Sequence, residues 1–133
     1  MRKILIIEDD PLVSRMYDKV LSAEGFDVEI AKDGSEGIEK VKTVKPDLVF
    51  CDIMMPRMNG IEVLEALKTD PETKDIPVVM LTNLAGTQDA EATLAKGAYA
   101  YMVKSEFKPK DVADKAKQIL AELAKVETPK VSS

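Results

Sequence analysis

The chain is 133 residues long, with 45% apolar and 32% charged residues and a formal charge of −5. That is enough for one domain with a proper core, and the acidic balance lacks the phosphate-neutralising surplus that direct nucleic-acid binding requires. No apolar run approaches the roughly 18 residues of a membrane span, no histidine is present for zinc sites, Ser-His catalysis or a phosphohistidine, and the lone Cys51 has no partner for an internal disulfide.

Met1-Arg2-Lys3 runs straight into an apolar segment, Ile4 to Ile7, too short for a signal peptide. The expected location is therefore the cytoplasm. Ile4 to Ile7 is apolar on both alternating faces, as a central parallel strand covered by helices must be. It ends in Glu8-Asp9-Asp10. Asp10 before Pro11 reads as a helix cap followed by proline at the first helical position. Leu12, Val13, Met16, Tyr17, Val20 and Leu21 then recur at helical spacing, and Gly25 closes the helix.

From Phe26 to Ala31, Val28 and Ile30 alternate with Asp27 and Glu29, the pattern of an edge strand. Asp33-Gly34-Ser35-Glu36 begins a short helix carrying Ile38 and Val41, which stops at Lys45-Pro46. Leu48 to Cys51 is the next buried strand and delivers Asp52 to its carboxyl end. Pro56 and the Asn59-Gly60 turn lead into a helix marked by Ile61, Val63, Leu64 and Leu67, which ends near Asp70-Pro71.

Ile76 to Leu81 reads as a strand ending at Thr82. Gly86 punctuates a loop, and a helix from Gln88 to Lys96 follows, held by Ala90, Ala92 and Ala95 with Leu94 as its one larger anchor. After Gly97, Tyr99 to Val103 is a last strand ending at Lys104, and Pro109 opens a helix with Val112, Ala116, Ile119, Leu120 and Leu123 inward. Residues 1–125 read as one domain and 126–133, with Pro129 and Ser132-Ser133, as a flexible tail or the start of a linker.

Five strands alternating with five helices imply an open, doubly wound parallel α/β sheet, and an edge position for the second strand gives the flavodoxin-like order 2-1-3-4-5. Ligands in such sheets sit beyond the carboxyl ends of the strands, at the switch point between strands 1 and 3. There the chain places Glu8 and Asp9, Asp52, Thr82 and Lys104, each at a strand end. Carboxylates about 5 Å apart repel by roughly 3 kcal/mol per pair at an effective dielectric near 20. One lysine offsets only part of this, and a hard cation such as Mg²⁺, which favours one or two carboxylates with waters and a phosphate, would offset the rest. Under it Asp52 stays ionised and nucleophilic, able to take a phosphoryl group, while the Thr82 hydroxyl stands ready for a transferred oxygen.

In these residues the chain resembles the receiver domain of two-component response regulators, close to the single-domain type used in chemotaxis. Ile6-Ile7-Glu8-Asp9 resembles the acidic pair, Asp52 with Met55-Pro56 and Gly60 the phosphoacceptor segment, Thr82 and Lys104 the switch hydroxyl and the essential lysine, and Tyr101 the aromatic switch position. The resemblance spans about Lys3 to Leu123. It implies that Asp52 is phosphorylated from a phosphohistidine on a sensor histidine kinase or phosphotransfer protein. Asp9, Asp52 and the Met54 backbone carbonyl would ligate Mg²⁺, with Glu8 acting directly or through water. It further implies no turnover beyond self-phosphorylation and slow self-dephosphorylation. The mostly alanine packing of the fourth helix is light enough for it to shift with Tyr101 and the last strand, which makes the fourth helix, fifth strand and fifth helix the expected output face toward a downstream protein. The expected assembly is a monomer or a weak phosphorylation-dependent dimer.

Two features depart from the family pattern. Ser105 follows the lysine where the family has proline after a cis peptide, and Phe107 falls one place late. A cis bond before serine costs about 3 kcal/mol, so the expectation is a trans peptide and a rebuilt loop. Asn83 follows Thr82 where the family prefers a small residue, which bears on access to the phosphoryl group. A flavodoxin-like cofactor binder would need a Ser/Thr/Gly-rich loop where this chain has three acids, and an aspartyl phosphatase usually carries a second aspartate where this chain has Met54. The alternative left open is a receiver-like interaction module without phosphorylation.

Overall fold

The computed structural model describes residues 2–83 and 88–127, with side chains except at 88–90 and 125–127. The elements alternate: β1 (Lys3–Ile7), α1 (Pro11–Ala23), β2 (Asp27–Ala31), α2 (Gly34–Val44), β3 (Leu48–Asp52), α3 (Gly60–Thr69), β4 (Val78–Thr82), α4 (Gln88–Ala95), β5 (Ala100–Val103), a 3₁₀ turn (Lys104–Glu106) and α5 (Pro109–Glu127). The sheet is wholly parallel in the order β2-β1-β3-β4-β5, as the strand pattern implies.

The two-residue period of the strands sorts the core into two layers. Leu5, Ile7, Val49, Cys51, Val78 and Met80 face one side, against Val41 of α2 and Val63, Leu64 and Leu67 of α3. Ile4, Ile6, Leu48, Phe50, Val79 and Leu81 face the other, against Tyr17 and Leu21 of α1 and Val112, Ala116 and Ile119 of α5. With both faces sealed, what the strands leave for chemistry is their ends.

Local signals set the helix starts. The Asp10 carboxylate accepts from Leu12 N (2.9 Å) with Pro11 in the first turn, and Asp33 accepts from Glu36 N (2.8 Å). Asn59 and Glu62 form a reciprocal capping box at α3. Gly25, at φ +93°, closes α1 in the left-handed region.

Several expectations need correction. β4 begins at Val78, not Ile76, because Pro77 has no N–H to give and Ile76 N donates back to Thr73 O in the preceding turn. β5 begins at Ala100 rather than Tyr99, whose hydroxyl instead donates to Glu122 of α5 (2.7 Å). Leu12 and Met16 are 70% and 47% exposed, so the buried stripe of α1 is Ser14, Tyr17 and Leu21. Among the described side chains of α4, Leu94 is 43% exposed and Thr93 is the fully buried one. The Ala90 side chain and the loop glycine Gly86 lie outside the described residues, as do residues 128–133 of the expected 126–133 tail.

Candidate functional site

Register brings the polar strand ends together. Ile7 of β1 pairs with Cys51 of β3, so the residues that follow them, Glu8 and Asp52, are neighbours. Asp52 pairs with Leu81, which puts Thr82 one step away, and Thr82 pairs with Val103, the residue before Lys104. Lys104 then reaches back across the sheet. Its Nζ lies 3.0 Å from Glu8 Oε1 and 3.1 Å from Asp52 Oδ2. Glu8, Asp52 and Thr82 are buried, whereas Asp9 is exposed at the rim. Carboxylate oxygens of Glu8, Asp9 and Asp52 come within 4.8 Å of one another, a spacing that could hold a metal ion.

The surrounding backbone fixes the acids. Asp10 N donates to Glu8 Oε2 (3.1 Å) and Met54 N to Asp52 Oδ1 (3.3 Å). Gly60 N donates to Ile53 O (2.9 Å), drawing the start of α3 under the end of β3. A Cβ at Gly60 would stand 2.2 Å from Asp52 O and 2.8 Å from Ile53 Cα. Glycine is therefore required here for close approach, with the loop folded tightly beneath Asp52.

The electrostatics show a surplus of negative charge. The Glu8 carboxyl is pushed up to about 7, first by burial and then by the Asp52 charge, against the hydrogen bonds from Lys104 and the Asp10 N–H. Burial pulls the Lys104 ammonium down, but Asp52 and Glu8 outweigh it and its pKa rises. Three acids share one internal cation. The set is all oxygen, so its chemistry suits a hard cation and offers nothing to a soft one.

The response regulator receiver domain family matches residues 4–117. The chain belongs to that family. This receiver is 41% identical over 111 residues to the DNA-binding response regulator MtrA of Mycolicibacterium smegmatis, covering 84% of the chain and 47% of MtrA. It is 37% identical over 127 residues to the DNA-binding dual master transcriptional regulator RpaA of Synechocystis, covering 96% of the chain and 51% of RpaA. It thus spans about half the length of the curated relatives it matches. Among solved structures, the chemotaxis protein CheY4 of Vibrio cholerae superposes with a TM-score of 0.80 at 30% identity, over 89% of this chain and 97% of that one. A CheY-like receiver domain protein of Methanospirillum hungatei gives 0.83 at 34% identity, over 94% and 98%. No described helix is long and apolar enough to cross a membrane.

Of the residues singled out from sequence, Glu8, Asp9, Asp52, Thr82 and Lys104 stand at adjoining strand ends. Met54 is tied to Asp52 through its N–H while its side chain faces solvent. Tyr101 sits apart, mid-strand opposite Met80, its half-buried ring packed on the α2–α3 side of the sheet. The Lys104–Ser105 peptide is trans and the loop after β5 is wound into a 3₁₀ turn over Lys104–Glu106, so the extra residue is taken up as helical winding. Asn83 is exposed. Helical spacing places Tyr17 among the core residues and carries no information about its hydroxyl. This phenol feels the charges of Lys104, Glu8 and Asp52. The signal available was a polar-tipped ring in an otherwise aliphatic stripe two turns downstream of the acids.

Proposed function

We propose that this receiver is a phosphorylation-controlled signalling switch with Asp52 as acceptor. The observation that carries the reading is the Lys104 ammonium held between Glu8 and Asp52 at 3.0 and 3.1 Å, at the strand-end switch point. An Asp52 carboxylate oxygen attacks the phosphorus, the bond from phosphorus to the donor's leaving group breaks, and that group departs with the electron pair. The donor is a phosphohistidine on a sensor kinase or phosphotransfer protein, a reading that the absence of histidine from this chain fits. Lys104 stays charged and turns toward a phosphoryl oxygen, and the Thr82 hydroxyl donates to another. Asp9, Asp52 and the Met54 carbonyl would hold Mg²⁺, with Glu8 direct or through water. The bound cation supplies neutralisation of the phosphoryl charge. The domain is a signalling module rather than a turnover enzyme, and residues 1–125 are its working unit.

The acyl phosphate adds negative charge and acceptor oxygens at the end of β3, and it biases a pre-existing equilibrium. α4, β5 and α5 are the output face, with Tyr101 following Thr82. In support, α4 turns Leu94 outward and buries Thr93 in place of a large apolar anchor, so little apolar surface resists its displacement. The acidic balance of the chain favours a protein target over nucleic acid. Acetyl phosphate with Mg²⁺ tests the reading. Intact mass should gain one phosphoryl group in the wild type and none in Asp52→Ala, and amide signals of α4, β5 and α5 should move on adding beryllofluoride. Absence of the mass gain would leave the phosphorylation-free interaction module in its place.

A further inference from the structure

Tyr17 is 4% exposed and belongs to the buried cluster that includes Ile6, Phe50, Leu81 and Val112. Ile6 and Phe50 lie two residues before Glu8 and Asp52, and Leu81 immediately precedes Thr82, so this cluster reaches up to the strand ends that carry the site. Side chains on a helix lean toward its N-terminus. α1 leaves the carboxyl end of β1 through Glu8-Asp9-Asp10, so that lean carries the phenol back up toward the acids. The hydroxyl makes no hydrogen bond to another described residue. Every fully buried side-chain oxygen among the described residues has a partner, so the small exposed part of Tyr17 includes its hydroxyl. The tip is therefore not sealed within the core. Burial raises the phenol pKa, and of the three charges acting on it that of Lys104 has the largest effect.

Lys104 has three ammonium hydrogens, of which two are directed at Glu8 and Asp52. We propose that Tyr17 is a positioning residue for Lys104: its hydroxyl oxygen takes the third ammonium hydrogen through one ordered water and keeps the ammonium over the acceptor. The proposal rests on the phosphoacceptor reading of the site and adds the element that steers its cation. Without that contact Lys104, whose side chain is about one-fifth exposed, has an open route to solvent. A phenol suits the task because its ring fills the core while its oxygen accepts without bringing in another charge.

The test is Tyr17→Phe in the full chain, which keeps the ring and removes the oxygen. Two readouts are needed: the rate of Asp52 phosphorylation by acetyl phosphate with Mg²⁺, and the ¹⁵N–¹H signal of the Lys104 ammonium in the unphosphorylated protein, assigned through Lys104→Arg. The expected result is a rate about 3- to 10-fold lower, a shifted or exchange-broadened Lys104 signal, and unchanged thermal stability and Mg²⁺ affinity. If the wild type is phosphorylated, an unchanged rate or an unmoved Lys104 signal overturns the inference. If the wild type takes no phosphoryl group, the functional reading fails by itself and the Lys104 signal alone decides whether Tyr17 positions it.

Discussion

Glu8 is where the site most clearly works against the fold. Its carboxyl is buried beside Asp52, and the folded-state pKa of about 7 stands above the ordinary 4.5. For an acid raised in this way the sign runs against stability as pH rises. Below pH 4.5 both folded and unfolded states hold the proton and nothing is lost. Between 4.5 and 7 the unfolded chain releases it first and gains by doing so, and above 7 the native state carries the full penalty. The shift corresponds to about 3 kcal/mol. In metal-free buffer, Glu8→Gln should therefore gain on the wild type by up to that amount between pH 4.5 and 7.5, measured by urea unfolding. A difference that stays flat with pH would show that Glu8 does not titrate in this range.

At the scale of the element, the β3–α3 connection illustrates why loop chemistry needs particular residues. Alanine at the first position of a helix ordinarily helps by up to about 1 kcal/mol over glycine. At Gly60 the added Cβ meets three backbone atoms, 2.2, 2.8 and 2.9 Å away, none of which can swing aside. Gly60→Ala should destabilise by about 3 kcal/mol and displace the Asp52 backbone, with phosphorylation lost alongside. Gly25→Ala is the contrast. Nothing lies within 4 Å, so only the left-handed backbone at φ +93° resists the change, at about 1 kcal/mol. Equal melting temperatures for the two variants would refute the close-approach account. The same contrast explains how much could be read in advance. The strands were legible because Ile4 to Ile7, Leu48 to Cys51 and Val78 to Leu81 are buried on both faces, and strand-end acids follow from counting. Helical spacing was less informative. It groups Leu12 and Met16 with Tyr17, but it cannot say how wide a stripe the neighbours cover. On α4, an eight-residue helix, the buried position among the described side chains is Thr93 rather than Leu94. Tyr17 escaped notice because periodicity reports which face a residue occupies and not where its tip ends.

For the whole molecule, the two sealed layers leave the acid cluster at one end of the sheet as a point where separate parts of the chain meet. Glu8 and Asp9 follow β1, Asp52 ends β3, and Lys104 follows β5, the last strand in sequence and an edge strand in space. A cation held by these acids binds only the assembled sheet, because the unfolded chain scatters its ligands. Binding of that kind stabilises by the logarithm of ligand over dissociation constant, about 2.7 kcal/mol at a hundredfold excess. For a domain of this size that is a rise in Tm of about 10 °C. Saturating Mg²⁺ should produce such a rise in the wild type and little of it in Asp52→Asn, where one ligand loses its charge. The gain should also exceed what equal ionic strength of NaCl provides, since screening relieves exposed charges and leaves buried ones nearly untouched. A matching rise with NaCl, or one preserved in Asp52→Asn, would place the effect on the acidic surface and remove the cation from the strand ends.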